Sequence, residues 1–127
     1  MNPDLKGSAL QSIFFDLDGT LVDSAPDIRN CLSEAFHKNG FSAREAIAGF
    51  RVGQTLDHMI RELISHATDE QVQSITRSFR KRYDVSDYPL TTAYAGIDDL
   101  LLRLFNSGRP LHVATNKPQL STRRIIE

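Results

Sequence analysis

The chain has 127 residues, of which 40% are hydrophobic and 24% charged, and its formal net charge is −1; this composition is typical of one globular domain. Such a charge provides no field to attract nucleic acid or an anionic membrane, and no apolar run approaches the roughly 20 residues that cross a bilayer, so neither is an expected partner. The lone cysteine, Cys31, cannot form an internal disulfide, which favours a cytoplasmic protein.

The first predicted element is a short buried strand that ends in two carboxylates. The apolar run from Ile13 to Phe15 precedes Asp16 and Asp18, and Gly19 then allows a sharp turn. Because side chains two residues apart leave the same face of a strand, both carboxylates should lie at a sheet rim, where open α/β folds bind ligands. Carboxylates this close repel unless a cation lies between them or one holds a proton. An Asp-x-Asp pair alone is weak evidence, since most such pairs are solvated loop residues.

Four amphipathic helices are predicted next, and together they form a small helical bundle. Ser24 and Asp27 have the spacing of a capping box that opens the first helix, which ends at Asn39 and Gly40. Cys31 lies on its apolar stripe and is interpreted as a core thiol. The other three helices begin at similar signals, which are Ser42 with Glu45, the stripe that starts at Leu56, and Thr68 with Gln71.

A second α/β segment follows the bundle. A polar return leads to Gly96 and a fifth helix, then to a strand from Leu111 to Thr115, and Pro118 opens a last helix. A helix and strand after an earlier strand are typical of a parallel sheet with its crossover. We therefore expect an α/β fold, in which residues 1–23 and 94–127 form a partial Rossmann-like parallel sheet core. Residues 24–93 form an α-helical cap inserted in the crossover.

Two stretches of the chain resemble the signatures of one family. The string from Asp16 to Ser24 resembles the first motif of the haloacid dehalogenase superfamily of phosphohydrolases, particularly its phosphoglycolate-phosphatase-like branch. The string from Leu111 to Pro118, a strand that ends in Thr-Asn, resembles the second motif, and the resemblance spans residues 12–126. It favours a phosphatase, because members that dehalogenate or cleave carbon–phosphorus bonds lack the second Asp. The β-phosphoglucomutases usually carry Val where this chain has Thr20.

The resemblance implies a Mg²⁺-dependent phosphatase that acts on a small phosphorylated metabolite, such as phosphoglycolate. Asp16 would be the nucleophile that forms an aspartyl-phosphate, and Asp18 would be the general acid/base. Mg²⁺ would bind the Asp16 carboxylate and the Asp18 backbone carbonyl. The residues implied in binding the phosphate are Gly19, Thr20, Thr115 and Asn116.

The loop Arg51-Val52-Gly53-Gln54 lies between two cap helices, where related phosphatases place a substrate-specificity loop. Arg51 or Gln54 would then read a polar or anionic leaving group. An ordinary surface loop with a turn glycine fits the same four residues equally well.

Two further motifs of the family have no counterpart in the chain. Lys117 is too close to Thr115 to be the lysine of the third motif, and the pair Asp98-Asp99 precedes the second strand and so cannot be the acidic pair of the fourth. We therefore expect a truncated phosphatase with negligible activity alone; the alternative is a catalytically inactive fragment that serves as a binding or assembly module. The apolar edge of the first strand, Ile13 to Leu17, would be covered by another copy of the chain, as a homo-oligomer or a swapped dimer hinged within residues 88–96; the alternative is that the chain is part of a longer protein.

Overall fold

A computed structural model describes residues 11–42 and 47–127 of the chain and confirms the α/β class. The helix expected between Ser42 and Ile47 falls mainly on residues outside these ranges. None of the helices within the described ranges is long and apolar enough to span a membrane. In chain order the described elements are β1 (Ile13–Phe15), β2 (Val22–Asp23), α1 (Ala25–Lys38), α2 (Leu56–Leu63), α3 (Asp69–Tyr83), β3 (Thr92–Ala93), α4 (Ile97–Asn106), β4 (Leu111–Val113) and α5 (Gln119–Ile126).

The core of the protein lies among the helices between β2 and β3. The apolar stripes predicted for α1, α2 and α3 are their buried faces, and Leu32, Ile60, Val72 and Ile75 are fully buried where these helices meet. Cys31 belongs to the same cluster, and burial raises the pKa of its thiol. Its interpretation as a core thiol is therefore confirmed.

The start of α3 shows why its sequence signal was reliable. The Thr68 hydroxyl accepts a hydrogen bond from the Gln71 backbone N–H at 3.2 Å, and the Gln71 side chain accepts one from the Thr68 N–H at 2.9 Å. Both partners lie within one turn of the chain, so no distant residue competes for them. The predicted capping box is confirmed.

Strands β1 and β4 form the parallel sheet that positions the two signature motifs. Ile13 pairs with Leu111 and Phe15 with Val113, and the Ala114 N–H donates to the Phe15 carbonyl at 2.8 Å. Because the strands are parallel and in this register, their carboxyl ends meet at one edge of the sheet. The predicted pairing is confirmed, and residues 16–18 lie beside residues 115–117.

A second, antiparallel sheet was not expected from the sequence. Strand β2 pairs with β3, and the Tyr94 N–H donates to the Leu21 carbonyl at 3.1 Å. The segment read as a polar return is thus partly a strand that ties the end of the cap to the first motif. Two-residue strands are too short to show the alternation that identifies a strand in sequence.

An open apolar groove lies in the α/β segment. The groove, of about 540 Å³, lies between the parallel sheet and α4, and its lining includes Phe15, Leu101, Phe105, Val113 and Ile126. No residue of α4 is buried. The burial expected for β1 is only partly present, since the Phe14 side chain is 67% exposed. A parallel sheet needs cover on both faces to bury its strands. Phe14 and Phe15 leave opposite faces of β1, and the first is exposed while the second lines the groove.

Candidate active site

The two predicted catalytic carboxylates flank a tight turn at the end of β1. Asp16 directly follows the strand and is exposed, and the Thr20 hydroxyl lies 3.4 Å from its Oδ2 atom, within donating distance. Gly19 has a φ of +80°, which the turn requires. The Leu17 carbonyl accepts the N–H groups of Thr20 and Leu21 at 3.2 and 3.0 Å. The turn is therefore rigid, and it leaves the Asp16 carboxylate open to solvent.

Asp18 points away from solvent into a buried polar cluster. Its Oδ1 atom accepts a hydrogen bond from the Ser24 hydroxyl at 2.5 Å and lies 3.2 Å from the Lys117 ammonium. The side chains of Lys117 and Asp18 are only 5% and 11% exposed. These two contacts fix the orientation of the Asp18 carboxylate. The Lys117 ammonium is therefore a cationic partner of Asp18.

The expected capping box of Ser24 with Asp27 is wrong. Ser24 makes no side-chain cap to α1, because its buried hydroxyl donates to Asp18 instead. Asp27 is also buried, and its Oδ2 atom accepts the Leu90 N–H at 3.0 Å and the Thr91 hydroxyl at 2.7 Å. The partner of Ser24 lies six residues earlier in the chain and those of Asp27 lie more than 60 residues later, so the spacing of Ser24 and Asp27 reveals neither.

Lys117 connects the site to the helical cap. Its ammonium donates to the Tyr83 hydroxyl at 2.6 Å and lies 4.5 Å from the centre of the Tyr83 ring. Burial lowers the pKa of Lys117, although the charge of Asp18 opposes this effect. Burial and, to a lesser extent, the charge of Asp18 raise the pKa of Tyr83, so its phenol keeps its proton. An ammonium, a phenol and a carboxylate thus form one cluster between cap and core.

The second motif lies beside the first, as predicted. The Thr115 hydroxyl oxygen accepts the Lys117 backbone N–H at 3.1 Å, so its own proton is available to another acceptor. The Asn116 side chain donates to the Gly53 carbonyl at 3.2 Å. Thr115 therefore faces the same sheet edge as Asp16, while Asn116 holds the cap loop.

The loop of residues 51–54 contacts both motifs. Besides the bond from Asn116 to Gly53, a methyl group added at Gly19 would lie 3.4 Å from the Val52 side chain. Gln54 lines a cavity of about 180 Å³ together with Asn116 and Lys117. Arg51 is exposed and is not part of that lining. The loop thus lies beside the second motif, and Gln54, unlike Arg51, shares a cavity with Asn116 and Lys117, although Asp16 and Thr115 are not part of that lining.

The oxygen atoms at this edge match the type of ligand that Mg²⁺ prefers, but they are few. Among the described residues there is no group of three or more His, Cys, Asp or Glu side chains that could hold a metal ion. The Asp16 carboxylate is exposed, whereas the Oδ1 atom of Asp18 is already engaged by Ser24 and Lys117. Mg²⁺ characteristically keeps several waters and binds through one or two carboxylates plus substrate phosphate. The described residues fit that mode and no stronger one.

Three residues of the site were missed from the sequence: Ser24, Tyr83 and Lys117. In the sequence, Ser24 fits a helix-capping pattern and Tyr83 fits the apolar stripe of a helix. Neither pattern requires a role in a site. Lys117 is the exception, because it directly follows the Thr-Asn pair of the second motif. Because the second motif was expected beside the carboxylates, the position of Lys117 next to that motif could have placed it near them.

Comparisons with known proteins show the family to which the chain belongs. A family model described as haloacid dehalogenase-like hydrolase matches residues 13–127. A phosphoglycolate phosphatase of Cereibacter sphaeroides is 32% identical over 124 aligned positions, which cover 92% of this chain and 56% of the relative. A Clostridium acetobutylicum structure, described as that of a predicted phosphatase, has a TM-score of 0.80 at 28% identity, covering 92% of this chain and 54% of that one.

One similar solved structure is described as a kinase and not as a phosphatase. The protein tyrosine kinase A of Mycobacterium tuberculosis has a TM-score of 0.78 at 30% identity, and the match covers 94% of this chain and 55% of that one. This chain spans about half the length of the curated phosphatases and of the solved structures that it matches.

Proposed function

Since the chain belongs to the haloacid dehalogenase-like hydrolase family over residues 13–127, we propose that it carries the phosphoryl-accepting site of a Mg²⁺-dependent phosphatase. The substrate is a small phosphorylated metabolite, and the relatives named phosphoglycolate phosphatase favour a phosphorylated hydroxy acid. One observation carries the proposal: the exposed Asp16 carboxylate ends β1 beside Thr115, which follows the paired strand β4.

In the first step an Asp16 carboxylate oxygen attacks phosphorus. A bond forms between that oxygen and phosphorus, and the bond between phosphorus and the ester oxygen breaks. Asp18, as general acid, gives a proton to the departing alkoxide. The groups that would accept the phosphoryl oxygens are the Thr115 hydroxyl, the Thr20 hydroxyl and the backbone N–H of Asn116. The Gly19 N–H, expected in this set from the sequence, instead donates to the Val22 carbonyl at 2.9 Å.

In the second step water attacks the phosphorus of the aspartyl-phosphate. Asp18 takes the proton of that water, the bond between the Asp16 oxygen and phosphorus breaks, and inorganic phosphate leaves with the carboxylate restored. The Asp16 carboxylate and the Asp18 backbone carbonyl would hold Mg²⁺, which would neutralise charge on the phosphoryl group.

The cap loop provides the selectivity in this proposal. Gln54 lines the cavity between cap and core, where it can hydrogen-bond a polar leaving group. Arg51, exposed on the same loop, would attract an anionic substrate before it enters. The alternative of a non-catalytic binding or assembly module is not favoured by the comparisons.

The half-reaction at Asp16 provides a direct test. Acetyl phosphate has a leaving group that needs no proton, so it should phosphorylate the purified chain if Asp16 is a competent nucleophile. We expect a Mg²⁺-dependent mass increase of one phosphoryl group, lost in Asp16→Asn. It should be retained in the matched control Asp99→Asn, which changes an exposed carboxylate in the first turn of α4.

We expect turnover by this chain alone to be negligible, so a panel of phosphorylated metabolites is screened by mass for phosphoryl transfer to Asp16 rather than by release of inorganic phosphate. Phosphorylation that persists in Asp16→Asn, or Mg²⁺-dependent turnover by that variant, would falsify the assignment of the nucleophile. A wild-type chain that neither accepts a phosphoryl group nor releases phosphate would favour the binding-module alternative.

A further inference from the structure

We propose that Lys117 is a positioning residue for Asp18, and that Tyr83 on the helical cap holds Lys117 in place. The orientation of the acid/base carboxylate then depends on the cap being docked on the core. The role of Asp18 in this inference rests on the proposed function, whereas the clamp itself does not.

The first support is the geometry around Lys117. Its ammonium contacts the Asp18 carboxylate at 3.2 Å and the Tyr83 hydroxyl at 2.6 Å, and its side chain is only 5% exposed. A buried ammonium is tolerated only where charged and hydrogen-bonding partners replace water. Asp18 and Tyr83 are those partners, so displacing either one leaves the ammonium poorly solvated.

The second support is that Tyr83 is itself fixed by the cap. Its ring stacks on Phe79 at 4.9 Å between centroids and meets Tyr88 edge-on at 5.0 Å. The neighbouring residue Asp84 accepts a hydrogen bond from the fully buried Ser121 hydroxyl at 2.9 Å. The end of α3 is therefore packed against the start of α5, directly beyond Lys117.

The third support concerns what Asp18 must do. A general acid must present its proton to the leaving oxygen within hydrogen-bond reach, so its orientation matters for alkyl phosphates. Ser24 restrains the Oδ1 atom from the side of α1, and Lys117 restrains the same atom from the side of β4. With one of these removed, Asp18 gains freedom to rotate. Leaving groups that need no proton should be insensitive to that change.

Acylation of lysines by an N-hydroxysuccinimide ester, mapped by mass spectrometry, tests the clamp without any turnover. In the wild-type chain Lys117 should react about tenfold more slowly than Lys38, whose side chain is 58% exposed. Asp18→Asn and Tyr83→Phe should each accelerate the reaction at Lys117 and leave the reaction at Lys38 unchanged. Tyr83→Phe keeps the ring and its packing, so it tests the hydroxyl in a folded chain.

A comparison of two phosphoryl donors tests the positioning role. In Lys117→Met the rate of Asp16 phosphorylation by phosphoglycolate should fall by about 10- to 100-fold, as expected for impaired general acid catalysis. The rate with acetyl phosphate should change by no more than about twofold, because acetate leaves without a proton. Lys38→Met, which removes a surface ion pair with Glu34, should alter neither rate. Tyr83→Phe should show a weaker form of the same selective loss.

Each outcome decides the proposal. Lys117 that reacts as fast as Lys38, or that ignores Asp18→Asn and Tyr83→Phe, overturns the clamp. An equal loss with both donors in folded Lys117→Met or Tyr83→Phe shows a merely structural role and overturns the positioning proposal. If no donor phosphorylates the wild-type chain, the proposed function fails for this chain, and the acylation rates alone then support or overturn the clamp.

Discussion

At the scale of single residues, the turn after β1 determines how the two carboxylates diverge. Asp16 and Asp18 were expected to share one face, yet Asp16 is exposed and Asp18 lies in a buried cluster with Lys117. Gly19 makes this separation feasible, since its φ of +80° reverses the chain directly after Asp18. Two like charges placed in different surroundings can take different roles, one as nucleophile and one in proton transfer.

Gly19→Ala should therefore destabilise the protein by about 1–2 kcal/mol, the cost of a left-handed conformation for a residue with a side chain. The added methyl would also lie 3.4 Å from Val52, an ordinary contact that adds no clash. The free energy of unfolding from urea titration measures the effect. Gly49→Ala is the matched control, because Gly49 has no positive φ and open space around its Cα, so it should be neutral or slightly stabilising. Equal effects at the two glycines would contradict the strain argument.

At the scale of elements, a helix cap is predicted well when both of its partners lie within one turn of the chain, as at Thr68 and Gln71. Thr68→Ala should cost about 1 kcal/mol of stability, because it removes the acceptor for the Gln71 N–H at the start of α3. Gln73→Ala is the matched control, since Gln73 is exposed on the same helix and takes no part in the cap. Urea titration should separate the two variants. A Thr68→Ala chain as stable as the control would show that solvent replaces the cap without cost.

The sequence predicted the helices and the parallel pairing for physical reasons that do not extend to the polar cluster. Apolar stripes and strand order depend on local periodicity and on the rule that crossovers join parallel strands, and both are visible in the chain. The contacts of Asp18 with Lys117 and of Lys117 with Tyr83 join residues from different elements, so they exist only after packing. Ser24 illustrates the same limit, because its hydroxyl donates to the Asp18 carboxylate and not to the start of α1. The motifs predicted where the candidate site lies, and only the folded structure shows which polar groups surround Asp18.

At the scale of the whole molecule, two regions of the α/β segment differ in character. The region that contacts α3 is joined to it by hydrogen bonds from Lys117 to Tyr83 and from Ser121 to Asp84. The groove beside α4 is lined by large apolar side chains that are exposed, including Phe105 at 71% and Ile126 at 55%. Contiguous apolar surface of this kind marks a site of association. The helices between β2 and β3 therefore enclose a buried core, whereas no residue of α4 is buried.

We expect a second copy of the chain to cover this groove in solution. A swapped dimer would have to release residues 88–96, but Asp27 binds the Leu90 N–H and the Thr91 hydroxyl there, and β3 is paired with β2. Apposition of two grooves needs no such release and so costs less rearrangement. Light scattering should give a mass above that of the 14.3 kDa monomer. Phe105→Glu, at the centre of the exposed patch, should restore the monomer.

Leu90→Glu is the matched control for that experiment, because Leu90 is 47% exposed but does not line the groove. It should leave the mass unchanged, since a charge outside the apolar patch meets no partner surface. A wild-type chain that is monomeric at every concentration tested would contradict the association. A dimer that survives Phe105→Glu but is lost when residues 88–96 are stiffened, for example by Thr92→Pro, would instead favour the swapped arrangement. Apposition through the groove and swapping at the return segment therefore predict opposite masses for Phe105→Glu and for Thr92→Pro. One series of mass measurements decides between the two arrangements.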